Sequence, residues 1–405
     1  MPAFVFPGQG SQQPGMGRPW VDHPSWELVA DASAAVDRDL THLLLYAGAE
    51  ELTETRNAQL ATLTTSLVIL DAVERLGIEP SACAGHSVGE YSALVAAGVL
   101  GFEDGARLVA ERGEAMQAAA DAEPGVMTVV IGTDAETADI ACRLADGPVW
   151  LANDNSPDEV VIAGAQEAVR EAGAEAIALG GRSLVPVSVG GAFHTPLMHP
   201  ARARLAKALK DAVLREPEVP VVANVDARTC SDPAGWTRRL LAQLTNPVRW
   251  RHSLIVLMEL LAERAPGDQL VVQLGPGSLD RHVLRTLPRA RVVSVATPDD
   301  LDRLVDAVAG DTRLHAFAAG HAGEHLYVSE RVVISPAAGL FEPRPDLLTE
   351  RGGCRDGAEV GVGSLLGTVS GEEVRSPFEG CLMGMLAERG ERVQPGQPVA
   401  WLRVL

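Results

Sequence analysis

The sequence predicts an α/β protein interrupted by an inserted β-α-β-β-α-β unit and followed by a separate all-β module. Three observations predict it. A short apolar strand, a tight glycine-flanked turn and a helix follow one another over residues 81–97. Between residues 126 and 189, strand and helix patterns alternate in a fixed six-element order. The last 80 or so residues carry an internal repeat of short strands and Gly/Pro turns.

Residues 3–6 read as a buried strand closed by the turn-rich run Pro7-Gly8-Gln9-Gly10-Ser11. Residues 59–76 read as a helix. Ser81–Ala84 is a short strand, and a helix runs on to about Ala97 after the turn at Ser87. Such a strand, turn and helix is the setting of a nucleophile elbow, and it makes the main layer α/β-hydrolase-like. A helix follows from about Asp104 to Ala119.

The inserted unit reads as strand Val126–Ile131, helix Ala135–Leu144, strands Val149–Ala152 and Val160–Ala163, helix Gln166–Ala178 and strand Leu184–Val187. That order is the ferredoxin-like one. The main layer then resumes with helix 200–213, strand 219–224, helix 236–243 and a segment to about residue 308. The expected domains are a core of 1–125 with 190–308, a subdomain of 126–189, an Ala-, Gly- and His-rich linker at 309–327, and a β module at 328–405.

In the module, Val333-Ile334-Ser335-Pro336 returns as Val374-Arg375-Ser376-Pro377, and Gly357–Gly363 returns as Gly390–Gly396. The two motifs alternate in the same order, which predicts a quasi-two-fold arrangement.

A formal net charge of -20 argues against a nucleic-acid partner. Lys207 and Lys210 are the only lysines, so any anion site must be local and built from Arg. Cys83, Cys142, Cys230, Cys354 and Cys381 are scattered, with no CxxC, as in a reduced cytoplasmic protein. Met1–Phe6 lacks the basic and apolar regions of a signal peptide, and no stretch reads as membrane-spanning.

The run Gly85-His86-Ser87-Val88-Gly89 carries the chemistry. Its glycines let the backbone turn sharply, so Ser87 Oγ is pushed out and the Val88 N–H is left to face a reacting carbonyl. A Ser hydroxyl needs a base, and His194 is the candidate. Arg112 interrupts an apolar helix stripe, at i+4 from Leu108 and i–4 from Met116. A buried guanidinium requires a partner. That partner is either an Asp or Glu of the protein or the carboxylate of a ligand.

The run Gly85–Leu94 resembles the active-site run of malonyl-CoA:acyl carrier protein transacylases. Phe6–Gln12, Arg112-Gly113 with Met116-Gln117, Gly191–Met198, Gln243–Pro247 and Leu274–Gly277 agree in the same order. The resemblance covers roughly residues 1–308. It implies a Ser87–His194 dyad whose imidazole is held by the backbone carbonyl of Gln243. It implies an oxyanion hole from the backbone N–H groups of Gln9 and Val88, and Arg112 as a fork for the malonyl carboxylate. Phe193, before the His, implies malonyl rather than methylmalonyl.

The implied reaction is ping-pong transfer from malonyl-CoA to the phosphopantetheine thiol of an acyl carrier protein, with no metal or other cofactor. A thioester hydrolase and a scaffold of a malonate-handling complex are the other classes the residues allow. Arg249 and Arg251 are candidates for docking the carrier protein.

His321-Ala322-Gly323-Glu324-His325 matches a zinc-protease pattern but lies in the linker with no third ligand, and is read as chance. The C-terminal module resembles the biotinyl/lipoyl carrier barrel, with its tip near Ser370–Glu373. It has no Lys to modify, so it is read as a docking or packing domain with a possible partner of its own.

Overall fold

A computed structural model of the chain describes residues 2–264, 269–308, 330–347, 358–387 and 389–404. The chain divides into two compact units: Met1–Ala72 with Glu79–Ala307, and Val308–Leu405 with Val73–Ile78.

The first unit is built on a five-stranded parallel sheet. Its strands are β1 (Ala3–Phe6), β2 (Ala82–Gly85), β7 (Val221–Val222), β8 (Leu270–Leu274) and β9 (Arg291–Val295), in the order β7-β2-β1-β8-β9. Strands covered on both faces read as continuous apolar runs. Accordingly every residue of β1, β2 and β8 is buried. Ala3, Val5, Ala82 and Ala84 pack with Trp250, Leu254, Leu257 and Leu261 of the helix Trp250–Arg264. The small residues of β2 let that helix approach closely.

In the register of β1 and β2, Phe6 lies opposite Gly85. The loop after Phe6 and the turn after Gly85 therefore leave neighbouring strands at their carboxyl ends, where open α/β sheets place their sites.

The insert contains β3 (Val126–Ile131), β4 (Val149–Ser156), β5 (Glu159–Gly164) and β6 (Ser183–Val187), with helices Ala135–Leu144 and Gln166–Ala178. The antiparallel order β4-β5-β3-β6 is that of a ferredoxin-like sheet. Val130, Val160 and Ile162 pack beneath Ala138, Ala141, Ala172 and Ala176 of the two helices.

Several bounds differ from the sequence reading. β4 continues four residues past Ala152, through Asn153-Asp154-Asn155-Ser156, which reads locally as a turn. Two irregularities in its pairing with β5 and a bridge from Asn153 to Val248 hold these polar residues in the sheet. β7 is two residues long, not six. The helix expected at 236 starts at Pro233, because the Asp232 side chain accepts from the Ala234 N–H.

Among the described residues of 330–404 the regular structure is β-strand, apart from a single 3-10 turn at Pro345–Leu347. The strands are β10 (Glu330–Ile334), β11 (Gly339–Pro343), β12 (Ala358–Val360), β13 (Leu365–Val369), β14 (Glu372–Arg375), β15 (Gly380–Met385), β16 (Arg392–Val393) and β17 (Pro398–Val404). They form two four-stranded antiparallel sheets, β10-β17-β15-β12 and β14-β13-β11-β16.

The repeat in the sequence is matched by repeated hydrogen bonds. Ser335 Oγ donates to Ala337 O and Ser376 Oγ to Phe378 O, each at 2.7 Å. Gly396 N–H donates to Ser335 O at 2.9 Å, and Gly363 N–H to Ser376 O at 2.7 Å. β13 and β14 join at Ser370-Gly371, with φ of 50° and 92°, a two-residue turn. The expected linker at 309–327, with His321 and His325, lies outside the described residues.

Candidate active site

Ser87 sits between β2 and the helix Gly89–Ala96 with φ of 53°, a left-handed conformation that costs a non-glycine residue energy. A Cβ on Gly85 would stand 1.9 Å from the Gly89 carbonyl oxygen, and one on Gly89 would stand 2.3 Å from Phe6 O. Both positions therefore require glycine. The Asn224 side chain locks the turn: its Oδ1 accepts from the Ser87 N–H at 2.8 Å and its Nδ2 donates to Gly85 O at 2.7 Å.

His194 is buried and also left-handed, with φ of 61°. Its Nε2 lies 2.8 Å from Ser87 Oγ, and its Nδ1 lies 2.8 Å from the Gln243 carbonyl oxygen. A carbonyl only accepts, so Nδ1 carries the hydrogen and Nε2 presents a lone pair to the serine. Burial, then the nearby Arg112 charge, lower the His194 pKa to about 3. The ring is neutral at ordinary pH and able to take a proton.

Arg112, on the helix Phe102–Ala122, is 1% exposed. Nη1 donates to Gln59 Oε1 at 2.5 Å. Nη2 donates to Gln243 Oε1 at 2.8 Å and to Ser87 Oγ at 3.2 Å. The Tyr91 ring lies 5.6 Å from the guanidinium carbon. Among the described residues no Asp or Glu forms an ion pair with Arg112, so the structural ion pair weighed from sequence is not what holds it. Burial pulls its pKa down, yet a guanidinium keeps its charge in proteins.

Among the described residues the backbone N–H groups of Gln9 and Val88 donate to no protein acceptor. Both residues flank Ser87: Val88 follows it, and Gln9 lies on the loop from the neighbouring strand. A cleft of about 230 Å³ is lined by Gln9, Ser87 and His194. Phe193, Met116 and Val129 line its apolar side, and Gln9, Asn153 and Asn155 its polar side. The cleft holds a hydroxyl nucleophile, a neutral base and the Gln9 loop; the Val88 N–H follows Ser87 in the chain, and the buried Arg112 cation reaches the Ser87 hydroxyl.

Sequence reasoning passed over Gln59, Asn224 and the role of Glu90. Gln59 is a fully buried amide on the helix Thr55–Glu74, in a stretch, 58–70, that is otherwise apolar or Thr/Ser. Its one signal is polarity at a core position. Asn224 follows a two-residue strand and nothing local marks it. Arg251, expected to be free for docking, donates through Nε to buried Asp154 at 3.1 Å. Arg249 is exposed.

The family model described as acyl transferase domain matches residues 3–295. Malonyl CoA-acyl carrier protein transacylase of Bacillus subtilis (strain 168) is 36% identical over 312 residues, 76% of this chain and 96% of the relative. The solved acyl carrier protein S-malonyltransferase of Vibrio cholerae superposes with a TM-score of 0.69 at 37% identity, covering 75% of this chain and 99% of that one. A malonyl-transacylase solved in complex with its type II polyketide synthase acyl carrier protein matches with a TM-score of 0.69 at 38% identity, over 74% of this chain and 97% of that one. With this match spanning both the sheet and the insert, the chain belongs to the acyl transferase domain family.

Proposed function

We propose that this chain transfers a malonyl group from malonyl-CoA to the phosphopantetheine thiol of an acyl carrier protein, in fatty acid or polyketide synthesis, through a Ser87 acyl-enzyme. The observation that carries the reading is Arg112: a buried cation in contact with Ser87 Oγ, held by neutral amides and lacking a carboxylate. A thioester whose acyl tail ends in a carboxylate supplies that partner as a two-bond fork.

His194 Nε2 accepts the proton of Ser87 as Oγ attacks the thioester carbonyl. The negative oxygen is met by the N–H groups of Gln9 and Val88; one such donor is worth about 2.7–4 kcal/mol in the transition state. The C–S bond breaks, and His194 returns the proton to the CoA sulfur. The carrier thiol then attacks the Ser87 ester by the same steps in reverse. The Gln243 carbonyl holds the imidazole throughout, as a main-chain counterpart of a triad carboxylate. Phe193 lines the cleft where an α-methyl would crowd it, which favours malonyl over methylmalonyl.

No metal or other cofactor takes part in this scheme, and the protein works in the cytoplasm. No helix among the described residues is long and apolar enough to cross a membrane. Residues 1–125 with 190–308 form the acyltransferase core, 126–189 the ferredoxin-like subdomain and 309–327 a linker. Residues 328–405 form a carrier-like β barrel without the modified lysine that serves docking or packing. Deleting 328–405 with no change in partner binding, oligomeric state or stability would remove that role.

The test of the main reading is intact-protein mass after mixing with malonyl-CoA. A malonyl adduct is expected that is absent in Ser87→Ala and disappears when holo acyl carrier protein is added. No adduct on the unmodified chain overturns the reading.

A further inference from the structure

Glu90 lies in the first turn of the helix that follows Ser87 and is 1% exposed. No step of the proposed reaction uses it. A buried carboxylate is costly unless its oxygens are held. Here Oε1 accepts from the Asn224 backbone N–H at 2.7 Å, and Oε2 accepts from Gln243 Nε2 at 2.5 Å.

Those two residues set the reacting groups. The Asn224 side chain holds the Ser87 N–H. The Gln243 carbonyl holds His194 Nδ1, and Gln243 Nε2 also donates to Ser87 O at 3.0 Å. The Gln243 amide has a single workable orientation: its oxygen faces the Arg112 cation and its nitrogen faces the Glu90 anion. Arg112 and Glu90 are thus opposite buried charges separated by one amide.

The spacing resolves a conflict. A buried guanidinium needs a counter-charge, but a carboxylate placed directly on it would occupy the fork that an acyl carboxylate has to enter. We propose that Glu90 is a positioning residue that supplies the counter-charge of Arg112 through the Gln243 amide, and that the same carboxylate fixes Gln243 and Asn224 under His194 and Ser87. The proposal rests on the malonyl-transfer reading.

Removal of the Glu90 charge would leave Gln243 without the anion that orients it. Burial, the largest cause, raises the Glu90 pKa to about 7. The charged groups facing Glu90 are Arg112 on the helix Phe102–Ala122, Arg239 on the helix Pro233–Gln243 and Asp226 after β7, with the neutral Tyr91 phenol beside it. The network is therefore complete on the alkaline side of neutrality and loosened on the acid side.

The test compares wild type, Glu90→Gln and Glu90→Asp in single-turnover acylation of Ser87 by malonyl-CoA across pH, with folding checked by circular dichroism. In Glu90→Gln an amide N–H faces another N–H. We expect acylation to fall about 100-fold at alkaline pH, as for a small misplacement of reacting groups, with the KM for malonyl-CoA within about threefold because the Arg112 fork remains.

The wild-type rate should rise through an ionisation near pH 7. That ionisation should be lost in Glu90→Gln and kept in Glu90→Asp. A purely structural role would lower the rate equally at every pH and leave the ionisation in place, which overturns the proposal. So does a Glu90→Gln protein that matches wild type. If neither variant folds, the wild type decides alone: a flat profile from about pH 6 to 8 overturns the proposal and an ionisation there supports it. A wild type with no malonyl adduct at any pH sinks the malonyl reading instead, and is read first.

Discussion

The hydroxyl of Ser87 is held from two sides, by His194 Nε2 at 2.8 Å and by Arg112 Nη2 at 3.2 Å. If Arg112 takes the acyl carboxylate as proposed, the second contact ties acyl recognition to the nucleophile. A carboxylate bound there would compensate the Arg112 charge, one of the causes that lower the His194 pKa, and so would strengthen the base.

Replacing Arg112 separates recognition from chemistry. Arg112→Ala should lower kcat/KM for malonyl-CoA by roughly 30- to 1,000-fold, the cost of leaving one partner of a buried charge pair unmatched at about 2–4 kcal/mol. Acetyl-CoA, which has no carboxylate, should lose far less. Equal losses for the two substrates in steady-state kinetics would remove Arg112 from malonyl recognition.

Removing the base acts on the chemical step. His194→Ala should slow Ser87 acylation by about 10²- to 10⁴-fold, the usual worth of a positioned general base. Rapid-quench measurement of the adduct checks this, and an unchanged rate would assign the base elsewhere.

His194 also sets a dependence of stability on pH. Its folded pKa of about 3 lies below the unfolded value of 6.5. Between those values the unfolded chain binds a proton that the folded chain refuses, so stability is lost as pH falls below 6.5. At pH 5 the loss from this one group is about 2 kcal/mol. Glu90, raised to about 7, works the other way, since its folded form takes up a proton first as pH falls. Comparing wild type with His194→Ala in urea at pH 7 and pH 5 cancels the Glu90 part. The variant should lose about 2 kcal/mol less, and an equal loss in both proteins would contradict a neutral His194.

Gly85→Ala tests the elbow itself. The added Cβ would meet backbone at 1.9 Å, which no rotamer change relieves. We expect a soluble protein with no Ser87 adduct, or one destabilised by more than about 3 kcal/mol in denaturant titration. Full activity with unchanged stability would refute the close approach of Gly85 and Gly89.

The order of elements was legible because each had a local cause. β1 and β2 are short apolar runs bounded by Gly and Pro, and the alternation at 126–187 has helix and strand periods that do not overlap. The extension of β4 over Asn153–Ser156 was not legible. Its polar residues prefer turns, and they stay extended only because β5 and Val248 pair with them. The Asp232 cap, by contrast, is a local signal: its side chain accepts from the Ala234 N–H and starts the helix at Pro233.

The sequence by itself determined the Gly85–Gly89 turn, because only glycine fits a backbone approach that tight. It also determined that Arg112 breaks an apolar stripe and that Ser335-Pro336 and Ser376-Pro377 are equivalent turns. Only the tertiary structure decided what Arg112 touches. Gln59, Ser87 and Gln243 come from three different elements, 53, 25 and 131 positions away along the chain. Hydrogen bonds at such separations depend on how the elements pack, and packing leaves no local pattern. For the same reason Glu90, Asn224 and Gln243 show no periodicity that joins them, and a buried charge balanced through one amide appears only when the helices stand side by side.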